Sequence, residues 1–182
     1  MKHTAGFTLI ELLVGLGISV ILTAYAFPNF ITARHRSRAQ VSMTRIERAL
    51  AVARQYAIEG NEQVTVCGVD KDKKCDNQSL HDVVVFVDTN DNKTPDKGEL
   101  ILADQGLDAP DYLKLQASLG RNYIRFDTDG SAQEAGSFIY CNAHYPSFAA
   151  RITISMAGRF YRGRDSNSDG VVEDAQGHAI RC

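Results

Sequence analysis

The sequence predicts an α+β protein: a long hydrophobic N-terminal helix that continues into an amphipathic helix packed on antiparallel β-sheets. Three observations predict it. Residues 7–27 are almost wholly apolar. Ile46, Ala49, Leu50, Ala53 and Ala57 then recur at helical spacing. After Gly60 the pattern turns to short β-rich runs divided by turns such as Asp129-Gly130 and Ala157-Gly158.

A helix needs about 20 residues at ~1.5 Å each to cross ~30 Å of hydrocarbon, and the apolar run meets that length. It holds one carboxylate, Glu11. A charge inside such a span costs on the order of 2.5–3.5 kcal/mol, so a stray acid in an ordinary anchor is a poor design. The sharper reading gives Glu11 a partner from another subunit. A cleavable secretory signal places its cut after the apolar stretch. Here Met1-Lys2-His3-Thr4-Ala5-Gly6 is short and weakly basic, and no small-residue cleavage signature follows Phe27. A cut between Gly6 and Phe7 leaves the hydrophobic helix on the mature chain. Pro28 lacks a backbone donor and is expected to kink the helix. The expected divisions are 1–6 as leader, 7–28 as membrane helix, 29–60 as amphipathic helix and 61–182 as a β-rich domain.

The segment Gly6-Phe7-Thr8-Leu9-Ile10-Glu11-Leu12, with Pro28 at the end of the run, resembles the type IV pilin and pseudopilin superfamily. The resemblance implies cleavage after Gly6 by a prepilin peptidase and N-methylation of Phe7. It also implies that Glu11 sets assembly register by pairing with the Phe7 ammonium of the adjacent subunit.

The chain has 182 residues and a net charge of −2, so bulk charge gives nucleic-acid binding no support. The distribution is uneven. Arg34, Arg36, Arg38, Arg45, Arg48 and Arg54 make the first third basic, and Asp70, Asp72, Asp76, Asp88, Asp91, Asp96 and Glu99 make the middle acidic. The arginines at 34–38 suit a solvated face, anionic lipid headgroups before assembly, or acidic loops in a fibre. Gly60-Asn61 is expected to stop the helix.

Beyond it, strands are expected at 63–66, 83–87, 99–102, 123–126, 137–140, 151–155 and 159–161. The continuously apolar Val83-Val84-Val85-Phe86-Val87 reads as a strand buried on both faces. Four cysteines, all outside the apolar run, allow three pairings. Cys67–Cys75 closes a short polar turn and Cys141–Cys182 pins the chain terminus. By loop entropy these pairings contribute ~2.5 and ~4 kcal/mol, with four buried free thiols as the competing reading.

The β-rich part resembles the GspH/FimT type within that superfamily. The resemblance rests on the strand at 83–87 with its acidic turn, on Phe126-Asp127-Thr128-Asp129-Gly130-Ser131-Ala132, and on Ile152-Thr153-Ile154-Ser155 leading to Gly158-Arg159. Minor pilins of the FimU and FimT kind and the GspH pseudopilin are of this type. It implies a non-enzymatic, tip-associated pilus subunit that helps start assembly with other minor pilins, the major pilin and the inner-membrane assembly machinery. It implies a single-pass inner-membrane protein with a periplasmic domain in a Gram-negative bacterium, later part of an extracellular fibre. A type II secretion pseudopilin and a DNA-uptake receptor are the alternatives.

Two acidic stretches have calcium-loop spacing. Asp88, Asn90, Asn92, Thr94, Asp96 and Glu99 fall at loop positions 1, 3, 5, 7, 9 and 12, but Lys93 replaces the usual glycine at position 6. The stretch from Asp165 to Glu173 has Gly170 at position 6 but Gln176 at position 12. An acidic hairpin held by Asx turns is the simpler reading of each, with no cofactor. Arg159, Arg162 and Arg164, interleaved with Phe160 and Tyr161, form the candidate DNA-binding stretch. Some FimT-type pilins that take up DNA carry Gly-Arg-x-Arg, and here Tyr161 stands at the second arginine's place. The competing reading is a last strand with Arg159 exposed and its aromatics buried. His3, His35, His81, His144 and His178 are scattered and sit beside no recognised nucleophile.

Overall fold

The computed structural model describes residues 6, 8–70, 72–78, 80–107, 111–167, 169, 171–174, 176–180 and 182, without the side chains of Pro28 and Asn29. It comprises two compact units, residues 1–37 and 38–182. One helix, α1 (Leu9–Gly60), belongs to both. It is helical through Pro28; the kink expected there rests on a side chain outside those described. Asn61, with φ 53°, takes the left-handed conformation that ends the helix. Asparagine is the residue after glycine best suited to that place.

Within residues 38–182, α1 buries a stripe of Ala39, Met43, Ile46, Ala49, Leu50, Ala53 and Ala57, each at most 6% exposed. The expected positions are all in it. The alanines let sheet backbone approach closely, while Ile46 and Leu50 each gain about 1.5–3 kcal/mol from full burial.

Two antiparallel sheets receive the stripe. The first is built on β1 (Val64–Val69), which pairs with β3 (Asp82–Val87) along one edge. Its other edge is shared by β2 (Cys75–Asp76) and β6 (Tyr123–Phe126). The outer strand β4 (Ile101–Gly106) pairs with β3. The second sheet runs β5 (Asp111–Ala117), β7 (Gly136–Asn142), β8 (Ala150–Ile154) and β9 (Phe160–Arg162) in that spatial order.

β3 is buried on both faces, as its unbroken apolar run requires. Val83, Val85 and Val87 join the helix stripe, and Val84 and Phe86 join Cys67 and Val69 in a separate cluster. The Cys67–Cys75 disulfide lies in that cluster and closes the β1–β2 turn, and Cys141–Cys182 ties the C-terminus to β7.

Three expected features need correction. β5 is an additional strand. Leu113 and Leu115 alternate with Lys114 and Gln116, but Asp111 and Tyr112 at its start disguise the period. Leu113 is fully buried, and its N–H and C=O bond Leu80 across the two sheets. The strand expected at 99–102 lies at 101–106 instead. Glu99 is drawn off to cap the preceding loop, and β3 shifts register between Val85 and Phe86. In β9, Phe160 packs against the core but Tyr161 is 52% exposed, since an edge strand turns alternate residues to solvent.

A tight junction locks the last turns to α1. Gly130 and Gly158 both have positive φ, 78° and 67°. A Cβ at Gly158 would lie 1.9 Å from the Gly130 carbonyl oxygen, and that oxygen accepts from Arg54 Nε at 2.9 Å. Ala132 N–H also donates to Met156 O at 2.9 Å. Gly158→Ala should therefore cost about 2–4 kcal/mol, from left-handed strain plus a backbone clash. Gly120→Ala, at φ 67° in open space, should cost only about 1–2 kcal/mol. Urea unfolding of the detergent-solubilised chain, followed by tyrosine near-UV dichroism, measures the difference; equal losses would dismiss the clash.

Candidate functional site

The side chains with functional potential fall in three places: the start of α1, the loop after β3, and the stretch from β9 to the C-terminus.

At the start of α1, Thr8 and Glu11 cap the helix reciprocally. The Glu11 N–H donates to Thr8 Oγ1 at 3.3 Å, while Glu11 Oε2 accepts from the Thr8 N–H at 2.9 Å and the Thr8 hydroxyl at 3.0 Å. Such a Thr-x-x-Glu box pairs two donors that a helix start leaves open. Within one chain, then, Glu11 does not lack a partner, because Thr8 supplies one. The signal is present in the sequence, as a threonine three residues before the acid. Gly6 is exposed beside this cap, whereas Phe7, with the cleavage and methylation expected at it, lies outside the described residues.

From Leu9 to Phe27 every large apolar side chain is between 54% and 78% exposed. A helix apolar all round requires an apolar surrounding. Its two aliphatic hydroxyls are satisfied internally, Ser19 Oγ on Gly15 O at 2.8 Å and Thr23 Oγ1 on Ser19 O at 2.9 Å. That arrangement leaves little polar demand on whatever surrounds the helix.

The loop after β3 uses its acids and amides on itself. Asp88, only 7% exposed, accepts from the N–H groups of Asn92 and Lys93, both at 3.0 Å. The Asn90 and Asn92 side-chain oxygens accept from the N–H groups of Asn92 and Thr94. Their amide nitrogens therefore point to Asp96 Oδ2, at 2.9 and 2.6 Å. Glu99 accepts from Thr89 N–H at 3.1 Å and Asp96 N–H at 3.0 Å. So the spacing of Asp88, Asn90, Asn92, Asp96 and Glu99 builds Asx turns in this structure, and their three carboxylates do not converge on one point. Asp91 leaves the loop to pair with Lys93 and with Arg125, which is 8% exposed on β6. The Lys93 hydrogen bond foremost, then the Arg125 and Lys93 charges, hold the Asp91 carboxyl below the usual range.

In the C-terminal stretch the three arginines have different surroundings. Arg159 is exposed just before β9. Arg162 reaches back to α1, with Nε 2.8 Å from Glu47 Oε2 and a terminal nitrogen 3.0 Å from Thr44 Oγ1. Arg164 is exposed and pairs through its backbone with Glu173. A cleft of about 500 Å³ is lined by Arg151, Tyr161, Arg162, Arg164 and Glu173. Carboxylate oxygens of Asp165, Asp169 and Glu173 lie within 4.8 Å of one another beside it. The stretch is therefore mixed in sign, and one of its arginines is committed to the helix. His178 sits 3.6 Å from Asp174, whose carboxyl is held below its usual range chiefly by the His178 N–H.

A family model described as type II transport protein GspH matches residues 42–158, and a prokaryotic N-terminal methylation motif matches residues 1–27. The chain is 38% identical over 61 residues to the type IV wide pilus major component PilA4 of Thermus thermophilus, covering 34% of this chain and 47% of that protein. It thus spans about half the length of that relative. Among solved structures, the type IV minor pilin FimU of Pseudomonas aeruginosa aligns at a TM-score of 0.50 and 16% identity, over 69% of this chain and 88% of that one. The minor pseudopilin EpsH of the Vibrio cholerae type 2 secretion system aligns at 0.48 and 15%, over 69% and 95%.

The Asp91 contacts give a pH dependence. A carboxyl whose pKa is depressed on folding stabilises above its unfolded value, near 3.9, and loses that contribution as pH falls through the folded value. Asp91→Asn should lower the melting temperature slightly at pH 7, and its gap from wild type should close below about pH 4. A gap unchanged by pH would deny the ion pairs any part in it.

Proposed function

Because this chain belongs to the GspH family of type IV pilin-like proteins, we propose that it is a minor subunit of a type IV pilus, incorporated at or near the fibre tip, where it helps assembly begin. Members of this family are structural subunits, not enzymes. The observation that carries the proposal is the N-terminal segment: an exposed, all-round apolar helix headed by Gly6, Thr8 and Glu11. Such a helix is served first by a bilayer and then by the packed helices of a fibre.

In this reading a prepilin peptidase cuts after Gly6 in the inner membrane and the new Phe7 amine is methylated. While the subunit waits in the membrane, Thr8 holds the Glu11 carboxylate. On docking, Glu11 exchanges that cap for the Phe7 ammonium of a neighbouring subunit. Two costly charges then offset each other in an apolar core. A buried pair of this kind is a weak source of net stability, but stripping it of one partner is severe, which makes it suited to setting register. The domain that follows presents the surface that other minor pilins and the major pilin meet. The likeness to FimU, itself a type IV minor pilin, supports a pilus.

A second reading is a minor pseudopilin of a type II secretion system, favoured by the description of the matching family itself. The N-terminal machinery would be the same. A third, DNA uptake through Arg159, Arg162 and Arg164, is disfavoured by the Arg162–Glu47 pair and by the acids beside Arg164.

Glu11→Ala should leave membrane insertion intact yet reduce the subunit recovered with sheared fibres at least tenfold; normal recovery would end the register role. Deletion of the gene should abolish surface fibres while exported enzymes still leave the cell, and the reverse pattern would select the secretion reading. The chain in detergent should not retard duplex DNA at moderate salt. A salt-sensitive shift lost in the double variant Arg159→Gln, Arg162→Gln would instead establish a DNA receptor.

A further inference from the structure

We propose that the C-terminal loop is a calcium site, with Asp165, Asp169 and Glu173 as its carboxylate ligands. Oxygen atoms of these three groups converge within 4.8 Å. The loop that carries them is closed at its neck by the main-chain pair Arg164–Glu173, with Glu173 N–H on Arg164 O at 3.1 Å. That closure brings Asp165 and Glu173 side by side. Asp169 is folded back toward them by two turns: its N–H donates to Asn167 Oδ1 at 2.9 Å, and its Oδ1 accepts from the Val171 N–H at 2.8 Å.

Glu173 is what separates this cluster from an ordinary acidic surface. It is 7% exposed. Its Oε2 accepts from the Ser166 N–H at 2.7 Å and hydroxyl at 2.8 Å. Its Oε1 is buried and has no hydrogen-bond partner among the described residues. Three carboxylates gathered within 4.8 Å, one of them buried with an oxygen unpaired, are costly, and a cation held among them lowers the cost. The donors are all oxygen, which selects a hard cation over zinc or copper. They come from an irregular loop with unequal reach, which suits the adaptable shell of calcium better than the strict octahedron of magnesium.

The spacing agrees once it is read to Glu173. Asp165, Asn167, Asp169, Gly170 and Glu173 occupy positions 1, 3, 5, 6 and 9 of a calcium loop, so the acid that Gln176 fails to provide at position 12 is provided at 9. The loop after β3 has the longer match in sequence, but there the carboxylates of Asp88, Asp96 and Glu99 do not come together, whereas in the C-terminal loop Asn167 Nδ2 donates to Asp169 Oδ2 at 3.0 Å without parting the three carboxylates. With an ion in place, the segment between β9 and the Cys141–Cys182 disulfide is fastened at both ends.

The test is calorimetry and thermal melting of the full chain in detergent after chelation, titrated with calcium chloride and separately with magnesium chloride. Calcium should bind one to one with a dissociation constant of about 10⁻⁴ M, the range of extracellular calcium modules, and should raise the melting temperature with concentration. Asp169→Asn changes an exposed side chain and is expected to keep the fold, and it should weaken binding at least tenfold, as should Glu173→Gln. Asp96→Asn should bind like the parent chain. No calcium heat or melting shift up to about 10 mM, magnesium binding as tight as calcium, or calcium binding untouched in Asp169→Asn and Glu173→Gln would each overturn the assignment.

Discussion

The packing of Ile46, Leu50, Ala53 and Ala57 against the inner faces of two sheets is the interaction on which the domain rests. These side chains are at most 2% exposed, and one cluster joins them to Val64, Val66 and Val85 of the first sheet and to Leu113, Phe138 and Ile152 of the second. Remove the stripe and neither sheet keeps a covered inner face, because the two share this single helix. The same helix is apolar all round in its first half and apolar on one stripe in its second. That change of pattern divides its work. One part needs a membrane or neighbouring helices, and the other needs its own domain.

Polar groups make the packing specific. Glu134, 1% exposed, is paired with Arg121 and accepts the Arg125 N–H at 3.0 Å, while both arginines flank the Tyr123 ring at 5.5 and 6.0 Å. A buried carboxylate so satisfied fixes how the segment around residue 134 lies against β6 more than it adds net stability. Elsewhere in the domain, Arg54 and the Gly130–Gly158 contact fasten the last turns to the helix. The family match ends at residue 158, on this contact. The residues after it, with their arginines, acids and terminal disulfide, are held to the domain through β9, Ile180 and Cys141.

Legibility follows the range of the forces involved. The helix stripe, the doubly buried β3 and the runs that form β1, β6, β7 and β8 can be read because burial imposes a period on neighbouring residues. β5 is hidden because Asp111 and Tyr112 interrupt its alternation, and the buried Asp111 carboxylate finds its partners, Tyr140 and Asn142, about 30 residues away. The exposure of Tyr161 is not legible locally, because β9 being an edge is a matter of sheet order. The Thr8–Glu11 cap is local and legible, but a charge in an apolar run draws the reading toward a partner outside the chain.

By itself the sequence determined the class of the molecule: a membrane-length apolar helix with one acid, joined to a small α+β domain. Those properties depend on length, periodicity and a contiguous motif, which neighbouring residues carry alone. Only the tertiary structure decided which polar side chains are spent and which remain available. Arg162 is turned to Glu47, 115 residues away, Asp88 and Glu99 are consumed by backbone N–H groups, and Glu173 is buried with one oxygen unmet among the described residues. Spacing states where a carboxylate lies along the chain. Its partner is chosen by the fold, because hydrogen bonds and ion pairs act across a few ångströms whatever the separation in sequence.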